Sequence, residues 1–174
     1  VVAVTTIDES RARPKDALMA RRYFTLDQVN DLIPQLTAIM TRAMQLHGLL
    51  ARTVRTLAGA GLRVDHDVLA GKKSISVPAH ARVEVDQAKG LYESILEEVA
   101  SVEALGGEVK GVDQGLVDFW SLRDGEVEVL LCWKLGEKRC AYFHTPEAGF
   151  AGRQPVDGHL FGNTRSTALR HGGA

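Results

Sequence analysis

The sequence predicts an α+β domain, a long antiparallel helical hairpin packed with a small, mostly antiparallel sheet of about four strands. Three observations carry that prediction. Apolar residues recur at helical spacing through two long stretches of the first half. A connector rich in Gly, Lys, Ser and Pro separates the two stretches. Past Gly106-Gly107 the apolar period falls to two. Residues 23–106 are therefore read as the hairpin and residues 107–157 as the sheet with its closing loop, together one globular unit.

The first helix starts at Thr25. Thr25-Leu26-Asp27-Gln28 has the form of a capping box, and Phe24 and Val29 stand at the two positions of a hydrophobic staple. Val29, Leu36, Ala43, Leu50 and Leu57 then fall seven apart, with Leu32, Ile39 and Leu46 between them and Ile33, Met40 and Val54 beside them. That spacing makes one apolar seam. Pro34 removes one backbone donor and is expected to kink the helix near its start. Gly59-Ala60-Gly61 ends the pattern.

Residues 59–81 are the connector. The second helix is expected over 82–105, where Val85, Ala88, Tyr92, Ile95, Val99 and Val102 recur three or four apart and Glu93, Glu97, Glu98 and Glu103 take the other faces. Two helices of this kind pair antiparallel across a connector; the plainer alternative packs each separately on the sheet.

Strands are expected at 108–112, 115–120, 127–135 and 139–144, with Asp124-Gly125 as a turn. If Lys134 opposes Arg139, then Trp133 opposes Cys140, Leu131 opposes Tyr142 and Val129 opposes His144. Both faces of these strands are apolar, so helices should cover one side and a further layer or second subunit the other. Residues 1–22 read as a mobile tail and residues 158–174 as a loose one. Met19 stands just ahead of the first structured signal, and one reading makes it the natural start.

With 174 residues the chain is long enough to bury a core without staples. A net charge of −1 carries no footprint for nucleic acid. No apolar run reaches the ~18 residues of a membrane span, and the first residues lack the apolar core of a secretory signal. Cys132 and Cys140 match no zinc spacing and make no disulfide framework. A cytoplasmic location with reduced thiols is expected.

The segments RYFTLDQVN, GLVDF, LLCWKLGE, AYFH and GFAGRQPVD resemble an uncharacterised prokaryotic family catalogued as domain of unknown function 2203, and together they cover most of residues 22–157. The family usually has proline at Trp120, tryptophan at Phe143, and Glu-Glu-Ala-Asn where this chain has Asp27-Gln28-Val29-Asn30. The resemblance implies a shared fold and carries no established activity, so function rests on the residues.

Asp118 lies among Leu116, Val117, Phe119 and Trp120, where a carboxylate must find a partner. It reads as a metal ligand or general base, or as half of an internal ion pair with Arg153 or Arg139. His144-Thr145-Pro146-Glu147 offers imidazole and carboxylate at short spacing. Asp118, His144 and Glu147 are thus candidate ligands for a divalent metal, zinc or iron. In the plainer reading His144 bonds a backbone carbonyl and Glu147 faces solvent. The loop GFAGRQP, with two glycines ahead of Arg153, suits a small anionic ligand. Asp118, His144, Arg153 and Gln154 are the candidate ligand-binding residues; alternatively Arg153 bridges to Asp118 or Glu147. Cys132 and Cys140 read as buried strand residues, and His47, His66 and His80 as boundary residues. No nucleophile elbow, P-loop or dinucleotide motif is present. Two functions follow: a small-ligand or metal-binding domain using one polar pocket, with or without a reaction attached, or a non-catalytic homodimer that serves as a scaffold.

Overall fold

The computed structural model describes residues 21–165. The Met19 start, and the N-terminal tail apart from Arg21 and Arg22, lie outside the described residues.

Helix α1 (Leu26–Gly59) begins where its local chemistry dictates. The Thr25 hydroxyl accepts from the Gln28 amide at 3.2 Å, and the Gln28 side chain accepts from the Thr25 amide at 2.9 Å. Its assigned span runs unbroken through Pro34. Proline has no N–H to offer the Asn30 carbonyl, while the Asn30 side chain accepts the Cys140 amide at 2.9 Å and so fastens this turn to the sheet. The connector holds a four-residue helix, α2 (His66–Leu69), capped by Asp65, and α3 (Arg82–Ala104) follows. The start of α1, through Val29, Ile33, Leu36 and Met40, shares one core with Val102 and the sheet. Farther along, Ala43, Leu50, Val54 and Leu57 pack with Val85, Ala88, Tyr92, Ile95 and Val99, and Val64, Val68 and Leu69 close that end. The helices therefore run antiparallel, and Arg42 and Glu98 pair across them at 2.7 Å.

The sheet is antiparallel, ordered β1 (Glu108–Gly111), β2 (Leu116–Arg123), β3 (Val127–Lys134), β4 (Tyr142–His144), β5 (Gln154–Pro155), with β6 (Phe161–Gly162) also on β2. The expected four strands are thus present with two short additions. β2 runs on to Arg123, and Asp124 and Gly125 turn the chain with φ of 53° and 80°, both in the left-handed region that suits a tight hairpin. β1 and β6 leave a gap on the β2 edge, and Phe24 fills it. Its amide donates to the Trp120 carbonyl at 2.8 Å and its carbonyl accepts the Ser121 hydroxyl at 2.7 Å.

Two expectations are corrected. The β3–β4 register is Leu130 with His144, Leu131 with Phe143 and Cys132 with Tyr142, one residue away from the Val129–His144 and Leu131–Tyr142 pairing. The connection is longer than a closure through residues 135–138. The chain turns at Leu135-Gly136, where the Glu137 amide donates to the Lys134 carbonyl, and then runs on to Tyr142. Along it the Trp133 indole donates to the Glu137 carbonyl, the Glu137 side chain accepts the Lys134 amide, and Asn30 holds the Cys140 amide. A one-residue slip exchanges the faces of every side chain in the strand. The chain past Asp157 is not loose up to residue 165, because Asp124 receives the Leu160 amide at 3.1 Å and Phe161 and Gly162 pair with β2.

Alternation sorts the sheet into two faces. Val117, Phe119, Val129, Leu131, Trp133 and Phe143 form the inner face against α1. Glu108, Asp118, Trp120, Glu128, Cys132 and His144 share the outer face by register. No helix among the described residues is long and apolar enough to cross a membrane.

Candidate metal centre

On the outer face Glu108, Asp118, Cys132 and Tyr142 line up across four strands, with His144 one pair along, beside Leu130. His144 Nε2 lies 3.1 Å from Asp118 Oδ2 with both side chains 3 % exposed. His144 Nδ1 lies 2.8 Å from the Thr145 carbonyl. A carbonyl only accepts, so Nδ1 carries a proton. The hydrogen bond to Asp118 raises the His144 pKa above the ordinary histidine value, against the opposing effect of burial. The Asp118 contact therefore favours the protonated ring, in which Nε2–H donates to Asp118.

Cys132 is 1 % exposed and opposes Asp118 in register. Burial first, and then the Asp118 charge, push its thiol far above the usual range, so the sulfur is protonated. Both ring nitrogens of His144 are engaged, which leaves none to take the thiol proton. Cys132 therefore lacks the activation a cysteine nucleophile requires. Donor atoms of Asp118, Cys132 and His144 lie within 4.8 Å of one another. Among the described residues the second carboxylate oxygen, Asp118 Oδ1, is buried with no hydrogen-bond partner, while the Cys132 thiol acts on the same carboxylate. Such an oxygen inside a protein calls for an explanation.

The structure thus joins Asp118 with His144 and adds Cys132 in place of Glu147. Glu147 is exposed and lies outside the group, because residues 145–149 turn away as Ala148 and Gly149 donate back to the Thr145 carbonyl. Arg153 does not bridge to Asp118 or Glu147. It donates to both Glu137 oxygens, at 2.8 and 2.9 Å, and to the Cys132 carbonyl at 3.0 Å. Its guanidinium lies 4.3 Å from the Tyr142 ring centroid and 5.0 Å from that of Phe150. The Gly152 and Arg153 amides donate within the loop, to Gly149 and Phe150. Gln154 is exposed on β5. Cys140 belongs to the inner core, its thiol pushed up to about 12 by burial. The signal for Cys132 was its register: a hairpin centred on Asp124-Gly125 sets it opposite Asp118.

No curated protein and no solved structure matches the chain. The family model described as "Uncharacterized conserved protein (DUF2203)" matches residues 22–156, and the chain belongs to that family.

Proposed function

We propose that the domain binds one divalent transition metal, zinc by preference, through Asp118, Cys132 and His144. The observation that carries this reading is Asp118 Oδ1, without a hydrogen-bond partner among the described residues, in the same buried cluster as a thiol and an imidazole. Thiolate, imidazole and carboxylate together suit zinc, whose bonds to them run about 2.0–2.3 Å, and the sulfur weighs against harder ions. The Thr145 carbonyl on Nδ1 supports it further. Metal-binding histidines commonly fix one ring nitrogen this way and present the other to the ion. Binding would take the proton from His144 Nε2 and from the Cys132 thiol, so affinity should rise with pH. All three donors come from one chain, and the site itself makes no demand for a second copy.

Elemental analysis of the purified protein should find close to one zinc per chain. The chelator-treated protein should gain melting temperature on adding zinc, as ligand linkage requires. Cobalt in place of zinc should show a thiolate charge-transfer band that Cys132→Ser removes. A chain that carries no metal and whose melting temperature ignores zinc, cobalt and ferrous iron alike would rule the reading out. The second reading, a non-catalytic scaffold in which the pair only braces the sheet, is favoured by the closed His144–Asp118 contact. It would then account for the outer face.

A further inference from the structure

The centre is sealed, with Asp118 at 2 %, Cys132 at 1 % and His144 at 3 % exposure. The inner side of the sheet is packed core, so an ion or reagent must arrive across the outer face. Among the described residues two pieces of chain flank the centre there. At one end residues 145–153 close on themselves through their own backbone hydrogen bonds, with Arg153 between Tyr142 and Phe150. At the other end residues 21–23 are held by side chains that converge on one carboxylate. Arg21 Nη1 donates to Glu128 Oε2 at 3.0 Å, and the Tyr23 hydroxyl donates to Glu128 Oε1. Arg165 reaches the same oxygen from the far end of the chain at 2.9 Å. The Arg21 guanidinium also stacks 3.8 Å above the Trp120 ring. Among the described residues, this segment ties its backbone to the sheet at Phe24.

Trp120 connects this strap to the centre. It lies next to Asp118 on the same face of β2, and its indole donates at 2.8 Å to Glu108 Oε1, the residue opposite Asp118. The indole therefore crosses from β2 to β1 beside the Asp118 carboxylate. Ion pairs as exposed as Arg21 with Glu128 hold weakly, whereas Phe24 behind them is locked into the core. We infer that residues 21–23 are a strap hinged at Phe24, and that its release from Glu128 frees Trp120 and opens the centre. As a control on metal exchange the inference rests on the proposed metal site; as a control on access to Cys132 it does not.

The test uses the full chain with Glu128→Ala and, separately, Trp120→Ala. Metal-free protein is treated with a small aromatic disulfide reagent, and peptide mass spectrometry follows labelling at each thiol. Zinc-loaded protein is mixed with excess chelator, and zinc release is timed. Both variants should label Cys132 about tenfold faster, the scale expected when a few weak surface contacts are lost. Cys140, in the inner core, should keep its rate and serve as the monitor of global unfolding. Zinc release should quicken by a similar factor with unchanged stoichiometry. Unchanged Cys132 labelling in both variants overturns the strap, and so do two thiols accelerating together, which marks whole-domain unfolding. Faster Cys132 labelling in a protein that holds no zinc keeps the strap and sinks the metal reading. Bound zinc with unchanged rates does the reverse.

Discussion

The two faces of the sheet are made from alternate residues of the same strands and differ in what holds them. On the inner face Phe24 meets Phe119 edge-on at 5.1 Å, and Trp133, Leu131 and Phe143 fill the space beneath α1. Each such side chain contributes roughly 1.5–3 kcal/mol by leaving water. On the outer face an equally buried group carries a carboxylate, a thiol and an imidazole. Desolvating two charges roughly cancels their attraction, and well-packed apolar residues of similar volume would serve stability as well or better. Stability explains one face. The other keeps polar groups where stability alone does not ask for them, and that is the physical case for a site.

The largest way to break this contrast is Trp133→Ala. It removes the largest of the fully buried side chains and leaves the Glu137 carbonyl without its indole donor. The expected loss is about 3–5 kcal/mol, read as a lower urea midpoint. Asp118→Asn comes next. It removes the charge from the carboxylate that bonds His144 Nε2, with an expected loss of about 3 kcal/mol, together with loss of zinc binding. The sharper companion is Asp118→Leu combined with His144→Phe, which should restore most of that stability while zinc binding stays absent. A double variant as unstable as Asp118→Asn would show that the outer face braces the fold after all.

Legibility in the sequence follows the range of the interactions. The start of α1 was readable because cap, staple and apolar seam all lie within a few residues, and β1 to β3 were readable from alternation. The β4 register was not, because residues 135–141 are set by Asn30 taking the Cys140 amide, a contact 110 residues apart in sequence. That slip matters to the site: it moves His144 from the face of Val129 to the face of Cys132. β6, with one aromatic and one glycine, carries no alternation to read. Asp118 was visible as a charge among apolar neighbours and His144 as a strand-end imidazole. Even the plainer expectation for His144, a bond to a backbone carbonyl, holds alongside its pairing with Asp118. Arg153 was expected to seek Asp118 or Glu147, but Glu137 in the neighbouring loop lies nearer.

Hydrogen-ion dependence separates the faces without large disruption. The His144 pKa is raised in the fold by its bond to Asp118. A raised folded value means that this pair's contribution is fully present below the ordinary histidine value of about 6.5. It is lost as pH climbs through the raised value, since the unfolded chain releases its proton first. Metal-free protein should therefore have a urea midpoint that falls as pH rises from about 6.5, a slope the apolar double variant lacks. Zinc affinity should move the opposite way over the same range. Both curves sharing one sign would contradict the assignment of the proton to His144.

The smallest expected effect is at Thr25→Ala, and it probes the inner face through its hinge. The change removes one half of the reciprocal cap on α1, where water can replace part of the lost bond. A cost of about 1 kcal/mol is expected, or roughly 2–4 °C in melting temperature for a domain of this size. Because Phe24 remains in the β2 gap, Cys132 should react no faster relative to Cys140 than in the parent chain. A helix end that loosens without exposing Cys132 means that the inner core and the outer strap yield separately, whereas preferential labelling at Cys132 would join them into one opening unit.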